Sequence, residues 1–558
     1  MAFVLSVFAG RLVQLQWLEN DAYAAQAAQQ RLVSLNLPAN RGTITDAHGQ
    51  PLAMTMDARA VFADPGLVEP GKKDEIAGAL APLLDVPAGE IREKLDTPGR
   101  FVYLAREVSP ERAQQILKLG YRGIATQPDH DRIYPSESLG ANVIGLVGRD
   151  GHGLAGIEYA LDRQLAGRDG RQTVEIGRNG QPIPMSSDQR RPPKRGRDVR
   201  LTIDRDIQWK AERAIADQVE QSGADSGTVA VMEPSTGQIL GLATAPSFDP
   251  NLPDEASPDK IGNRAVTDVY EPGSTNKVIT AAAALETGAV TPKTPFTVPP
   301  TLRRAGTTFH DSSYHPTEQL TFAGVLAKSS NIGTLLTAER IGSPTLYQYL
   351  RKFGFGGPSG LGLPGESPGL LPPPEDWSAS QHYTVPFGQG VSANTIQMAS
   401  VFATIAAGGV RAEPSLIAGT TDEEGTYQPA EPSEKRRVIG EKTARQLSRM
   451  LEKVVSEEGT APAAQIPGYR VAGKTGTAQR VDPACGCYRG YTATFVGFAP
   501  ADDPELVVQV VLQNPKRGHY GGVVAAPVFK DVMSFALKSR KIPPSGTKPP
   551  DIRLYARP

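Results

Sequence analysis

Cysteine is nearly absent, with Cys485 and Cys487 the two in 558 residues. That excludes a disulfide-built scaffold and a cysteine-rich zinc fold. No charge of one sign dominates, since 59 Lys and Arg face 60 Asp and Glu. A chain so balanced has no general attraction for nucleic acid, and no nucleic-acid partner is expected. A long apolar run is missing too. The opening MAFVLSVFAG is apolar only as far as Gly10, before Arg11, whereas a bilayer span needs about 20 residues. No small-residue cleavage site follows, so a removable signal peptide fits poorly. Histidine is scarce and scattered, seven in all, which leaves little to build a metal site from. What is present is material for a large core: 39% hydrophobic residues in a chain long enough for roughly three to four domain-sized units.

The N-terminal run continues as RLVQLQWLENDAYAAQAAQQRLV, an amphipathic helix with Leu12, Leu15 and Leu18 on one side. It reads either as the distal half of a membrane anchor or as a short buried helix. Residues 36–55 carry strand-like runs broken at Asn40 and His48-Gly49. Residues 58–130 mix a helical stretch with short strands. Asn179-Gly180 predicts a hairpin, because Asn-Gly supplies the positive φ angles of a tight turn. The basic, Pro-containing 189–198 segment marks the main domain boundary. Beyond it come a strand and a helix, then two apolar runs separated by Pro234 to Gly237. A long helical middle follows, then three strands (RVAGKTGTAQRV, YTATFVGFAP, ELVVQVVLQNP) and a closing helix. Strand pairs at both ends with helices between predict an α+β fold, one antiparallel sheet covered by helices. The expected division is a partial anchor or stalk helix at 1–25, an elongated α+β pedestal at 26–195, a catalytic domain at 196–540 and a Pro-rich tail at 541–558.

The segment EPGSTNKVITAAAALETG, 271–288, carries the most chemistry. Pro272-Gly273 breaks the chain, Ser274 caps a helix, and the Ala-rich run carries that helix to Gly288. Ser274 and Lys277, three apart, emerge on one face of its first turn. A serine hydroxyl needs a base, and a lysine amine serves if its pKa falls from the usual value of about 10.4. The helix N-terminus offers N–H donors where an oxyanion would form. Taken alone, simple capping explains Ser274 equally well. A second Ser-x-x-Lys, Ser257 to Lys260, sits in a Pro/Asp-rich loop with no helix to align it and is not taken as functional.

Ser329-Ser330-Asn331 follows an apolar helical stretch. There a hydroxyl and an amide could point into one cleft, or the triplet could merely cap a helix. Ser392-Ala393-Asn394 is a competing copy. Lys474-Thr475-Gly476-Thr477 lies in a strand-like run, where Gly476 permits close approach and Lys474, Thr475 and Thr477 would face a carboxylate. An edge strand with a Gly bulge is the plainer alternative. Like charge from Lys474 is expected to help depress the Lys277 pKa.

The order S-x-x-K, S-x-N, K-T-G resembles the class B penicillin-binding proteins, the monofunctional peptidoglycan transpeptidases, and among them the division type in an actinobacterial style. Arg41-Gly42 with Asp46 and Gly49, Arg132-Ile133-Tyr134-Pro135, and Gly153 through Gly156 to Glu158 are similar to that family's N-terminal motifs. EPGST at 271–275, GQG at 388–390 and TFVGFAP at 494–500 also fit. The resemblance implies roles. Ser274 would attack the carbonyl between the terminal D-Ala residues of a stem peptide, with Lys277 as base. Ser329 would return the proton and Asn331 position the peptide. Lys474, Thr475, Gly476 and Thr477 would form the carboxylate-binding strand, and the N–H groups of Ser274 and Thr477 the oxyanion hole. It implies no cofactor and no metal. It implies β-lactams as ligands, a membrane glycan polymerase and divisome proteins as partners, and a single-pass anchor with an extracytoplasmic catalytic domain. The rivals are a β-lactamase or β-lactam sensor, a D,D-carboxypeptidase, and a non-catalytic divisome scaffold. Asn276 stands where the family often has Phe and would alter cleft polarity. Cys485 and Cys487 are either a disulfide or two free thiols. His310 and His315 are expected at the active-site rim with no catalytic role.

Overall fold

The computed structural model describes residues 2–14, 32–175, 189–482 and 484–556. The predicted hairpin at Asn179-Gly180 and the helix positions Leu15 and Leu18 lie outside them.

The C-terminal half is built on five antiparallel strands. From edge to edge they are Ile239–Ala245, Ser226–Met232, Leu506–Gln513, Cys487–Ala499 and Ala472–Asp482. The early hairpin therefore pairs with the late strands, as the α+β reading of the sequence requires. Side chains alternate between faces along a strand, and here both faces are buried. Val229, Val231, Val508, Val510 and Phe495 enter a core with the helices Arg205–Ser222 and Ala526–Ser539. Their neighbours Ala230, Met232, Val507, Val511 and Val496 enter a second core with the helices Lys277–Glu286, Thr395–Ala406 and Glu441–Val455. Near-continuous apolar strands follow from that double burial. Ala472–Asp482 is an edge strand, and its free side borders the turn Gly273–Asn276.

The pedestal has its own core, where helices Lys73–Leu84, Ala88–Asp96 and Pro110–Lys118 cover Pro51–Ala63 and Val102–Val108. Its sheet does not stop at the 189–198 connector. Pro51–Ala63 pairs with Ile44–Thr45, which runs parallel to Val199–Leu201, which pairs in turn with Ile417–Thr421. Strands from deep within the catalytic segment thus complete a sheet begun near residue 44. The boundary visible in the composition is a crossing point inside a shared sheet.

The three N-terminal motifs meet in one buried charge cluster. Arg41 Nε donates to Glu158 Oε2 at 2.6 Å, Arg132 Nε to Glu158 Oε1 at 2.8 Å, and Arg41 Nη1 to Asp162 Oδ1 at 2.7 Å. Glu158 is fully buried. Gly42 beside Arg41 has no room for a side chain, since a Cβ would stand 1.9 Å from the Arg197 carbonyl oxygen. Asp46 Oδ1 accepts from the backbone of His48 and Gln50, closing the turn the sequence marked at His48-Gly49.

The tail from 541 is docked as far as residue 556. Thr321 N donates to Leu554 O and Ala556 N to Gln319 O, each at 2.9 Å, so the tail lies against Glu318–Thr321. The helix Ala2–Val13 leaves Phe3, Val4, Val7 and Phe8 exposed, and most of the amphipathic stretch after Arg11 lies outside the described residues. No helix among the described residues is long and apolar enough to cross a membrane.

Removing one anion from a buried cluster strands its cations. Glu158→Ala is therefore expected to cost about 3–5 kcal/mol, read as a fall in the urea midpoint of the full chain. A loss below about 1 kcal/mol would contradict a structural role for the cluster.

Candidate active site

Ser274 does not cap a helix. It lies inside a 3-10 turn, Gly273–Asn276, which leads into the α-helix Lys277–Glu286. The expected start at Ser274 is displaced because Gly273 adopts a positive φ of 53° and tightens the chain. With about three residues per turn, positions i and i+3 eclipse. The turn thus stacks Ser274 and Lys277 on one face more closely than an α-helix would. Among the described residues no hydrogen bond engages the Ser274 hydroxyl, whereas Thr275 Oγ1 donates to Pro272 O at 2.7 Å. The capping explanation for Ser274 has no contact behind it.

Three further contacts seat this turn. Gly273 N donates to Gly388 O at 3.0 Å, and Gly390 N to Glu271 Oε1 at 2.9 Å. Asn276, fully buried, donates through Nδ2 to Val385 O at 2.8 Å. Asn276 thus joins the nucleophile turn to the segment before GQG, and does not set cleft polarity as expected. Gly476 is needed for the same fit, because a Cβ there would meet Thr494 Oγ1 at 2.2 Å and Pro272 O at 3.0 Å.

Lys277 is 1% exposed. Its Nζ donates to Ser329 O at 2.5 Å, Asn331 Oδ1 at 2.7 Å and Ser329 Oγ at 3.3 Å. Lys474, also buried, donates to the same Ser329 Oγ at 2.8 Å and to Thr475 O at 3.2 Å. One hydroxyl therefore joins two lysines from distant parts of the chain. Burial pushes the Lys277 amine down to about 7, against an opposing pull from Asp311. The cause is desolvation, and the expected help from the like charge of Lys474 is not among the causes of the Lys277 shift. Lys474 is held well below its usual value, first by burial and then by the charge of Lys277.

The Ser329-Ser330-Asn331 corner divides its labour. Ser330 Oγ accepts from Gly333 N at 2.9 Å and caps the helix Asn331–Ile341, while Ser329 and Asn331 meet the lysines. Capping thus falls to Ser330 alone, and Ser329 and Asn331 are left to the lysines. Ser329 is held at a φ of +59°, a costly conformation for a residue with a side chain. The competing copies differ. Asn394 is a buried N-cap in a capping box with Gln397. Ser257 precedes a one-turn helix, Pro258–Ile261, that the sequence reading missed, and Lys260 lies away from this network.

Along the edge strand, Thr475 Oγ1 lies 2.8 Å from Thr460 Oγ1, and Thr477 Oγ1 accepts from Gly521 N at 3.1 Å. Neither Thr460 nor Gly521 had a sequence signal. Cys485 and Cys487 form a disulfide in the turn beyond this strand. Next to it, Tyr488 OH donates to Glu271 Oε1 at 3.1 Å. Burial raises the Glu271 carboxyl. Among the described residues no group of three or more His, Cys, Asp or Glu could hold a metal ion.

Such a network suits one kind of chemistry, in which an uncharged amine takes a proton from an alcohol and a shared hydroxyl passes one to a leaving amine. That is acyl transfer through a serine. The family match is specific. Residues 227–534 match the penicillin binding protein transpeptidase domain, and residues 36–201 the penicillin-binding protein dimerisation domain. Penicillin-binding protein PbpB of Mycolicibacterium smegmatis is 38% identical over 590 aligned residues, covering 99% of this chain and 91% of that protein. Peptidoglycan D,D-transpeptidase FtsI of Escherichia coli K12 is 34% identical, covering 98% of this chain and 90% of that one. The crystal structure of penicillin binding protein 3 from Mycobacterium tuberculosis complexed with aztreonam has a TM-score of 0.74 at 34% identity, covering 94% of this chain and 100% of the other. The chain belongs to the penicillin-binding protein transpeptidase family, in its class B form with a dimerisation domain before the catalytic one.

The divided corner separates two variants. Ser330→Ala removes a cap and is expected to cost about 1 kcal/mol of stability. Ser329→Ala should slow penicillin acylation about a hundredfold, a loss that Ser330→Ala should not share. The reverse pattern, in melting curves and acylation rates, would contradict the assignment.

Proposed function

We propose that this protein is a peptidoglycan D,D-transpeptidase that crosslinks stem peptides through an acyl-enzyme on Ser274, in septal wall synthesis. The observation that carries the reading is the single hydrogen-bonded network joining Lys277, Ser329, Asn331 and Lys474 beside the turn that bears Ser274.

Lys277, uncharged above about pH 7, accepts the proton of the Ser274 hydroxyl. The oxygen attacks the carbonyl between the two terminal D-Ala residues. Negative charge on the carbonyl oxygen is met by the backbone N–H groups of Ser274 and Thr477, donors that need no reorganisation as charge develops. Ser329 passes a proton to the departing nitrogen, drawing on the lysines it bridges, and D-Ala leaves. The acyl group remains on Ser274. An amine from a neighbouring stem then loses its proton to the same network, attacks the ester, and restores the serine. The terminal carboxylate of the donor lies against Lys474, Thr475 and Thr477. Its negative charge offsets the burial that holds Lys474 low. Asn331 holds its Oδ1 on Lys277 and one Nδ2 hydrogen on His310 O. Its second Nδ2 hydrogen is the one to meet the peptide. A β-lactam acylates the same oxygen.

The names of the relatives support the substrate, since FtsI is called a peptidoglycan D,D-transpeptidase. Placement at the outer face of the cytoplasmic membrane is the reading that suits an extracellular substrate and the exposed apolar helix Ala2–Val13. A membrane glycan polymerase and divisome proteins are the partners in that setting, with the pedestal as the natural surface for them.

Labelling with a fluorescent penicillin followed by peptide mass spectrometry tests the assignment. A long-lived adduct is expected on the peptide containing Ser274, and none in Ser274→Ala. Rapid release of hydrolysed drug would point to a β-lactamase, and absence of any adduct to a scaffold.

A further inference from the structure

The loop after the strand Thr307–His310 carries side chains to which the mechanism gives no task. Asp311 Oδ1 accepts the backbone N–H groups of Asn331 at 2.6 Å and of Ile332 at 3.0 Å, the first two residues of the helix Asn331–Ile341. Those N–H groups have no partner within their own helix, and a carboxylate suits that end of the helix dipole. The other oxygen, Asp311 Oδ2, lies 3.2 Å from His315 Nε2, with the two side chains 12% and 15% exposed. His315 Nε2 is buried and has no hydrogen-bond partner among the described residues. Its ring is fixed from the far side, where Nδ1 lies 2.7 Å from the Pro316 carbonyl. His310 adds its own carbonyl as the acceptor for Asn331 Nδ2 at 3.1 Å.

We propose that Asp311 and His315 are a positioning pair for the Ser329–Asn331 corner, with Asp311 fixing the backbone from which Asn331 reaches Lys277 and the His315 ring packed against the outer oxygen of Asp311. The proposal rests on the reading of Ser274 as the acylated nucleophile. Neither residue touches the reacting atoms, and both act through Asn331. The pair also has an electrostatic consequence. The charged groups facing Lys277 are Lys474 from the strand Ala472–Asp482 and Asp311 from this loop, with His315 behind Asp311. Of these, Asp311 supplies the pull that holds the Lys277 amine up against burial. Without that negative charge Lys277 loses its proton at lower pH, and the acid limb of the acylation profile moves down.

The test is the second-order rate constant for acylation of the full chain by a fluorescent penicillin, followed from about pH 5 to about pH 9. Variants are Asp311→Asn, Asp311→Ala, His315→Ala and the double alanine variant. Asp311→Ala is expected to slow acylation about tenfold to a hundredfold on the alkaline plateau, the size of one or two charge-assisted hydrogen bonds. His315→Ala should slow it less, and add nothing once Asp311 is already alanine. Asp311→Asn keeps an oxygen for both N–H groups. It should recover most of the plateau rate while its acid limb moves to lower pH. Unchanged rates with an unchanged acid limb, or losses that simply add in the double variant, would overturn the pair. If Asp311→Ala fails to fold, the limb of Asp311→Asn and the rate of His315→Ala decide. Absence of label in the unmodified chain would instead overturn the assignment of Ser274.

Discussion

The structure depends on keeping one amine dry. Lys277 is 1% exposed, and its three acceptors, Ser329 O, Ser329 Oγ and Asn331 Oδ1, are neutral. No anion stands at contact distance to hold the charged form, so burial wins and the proton leaves near neutrality, after which the amine keeps two N–H groups for these acceptors. A direct carboxylate partner would fix the charged form and remove the base. Asp311 is set one step back, on the backbone of Asn331, and its pull is correspondingly secondary. The same logic applies to Lys474, which shares Ser329 Oγ and is lowered further by the neighbouring ammonium. Two lysines on one hydroxyl titrate as a coupled pair, and the second proton is the costly one.

Close approach of three distant segments makes this possible, and it is achieved mainly by deleting side chains. Gly476 lets the edge strand lie against Pro272, and Gly388 lets the GQG loop lie against Gly273, where a Cβ would stand 2.3 Å from the Gly273 carbonyl oxygen. Gly324 admits the docked tail, since a Cβ there would meet Leu554 O at 2.0 Å. Positive φ at Ser329 then turns the corner that faces both lysines. Away from the cleft, the shared sheet from Pro51–Ala63 to Ile417–Thr421 makes the pedestal continuous with the catalytic half.

Short-range chemistry was legible in the sequence. Apolar strand-like runs, the Pro-Gly break at 272–273 and the three motifs pointed to the sheet, to the turn that bears Ser274 and to the residues that share its network. What stayed hidden depends on partners far along the chain. The 3-10 turn at Gly273–Asn276 follows from packing on Gly388 and Ala478, which no local propensity encodes. Asn276 looks like a cleft residue until Val385 is seen beside it. Asp311 and His315 lie in an unremarkable FHDSSYHP loop, and their meaning comes from contact with residue 331. The Arg41, Arg132 and Glu158 motifs could each be recognised, yet their convergence on one buried carboxylate could not be read from spacing.

The central claim is that Lys277 is uncharged at working pH because it is buried. The most direct measurement is a titration of the lysine side chains by nuclear magnetic resonance in isotope-labelled protein. The Lys277 signal would be assigned by its absence in Lys277→Arg. The account predicts a midpoint near 7. A midpoint close to the ordinary lysine value of about 10.4 would contradict it.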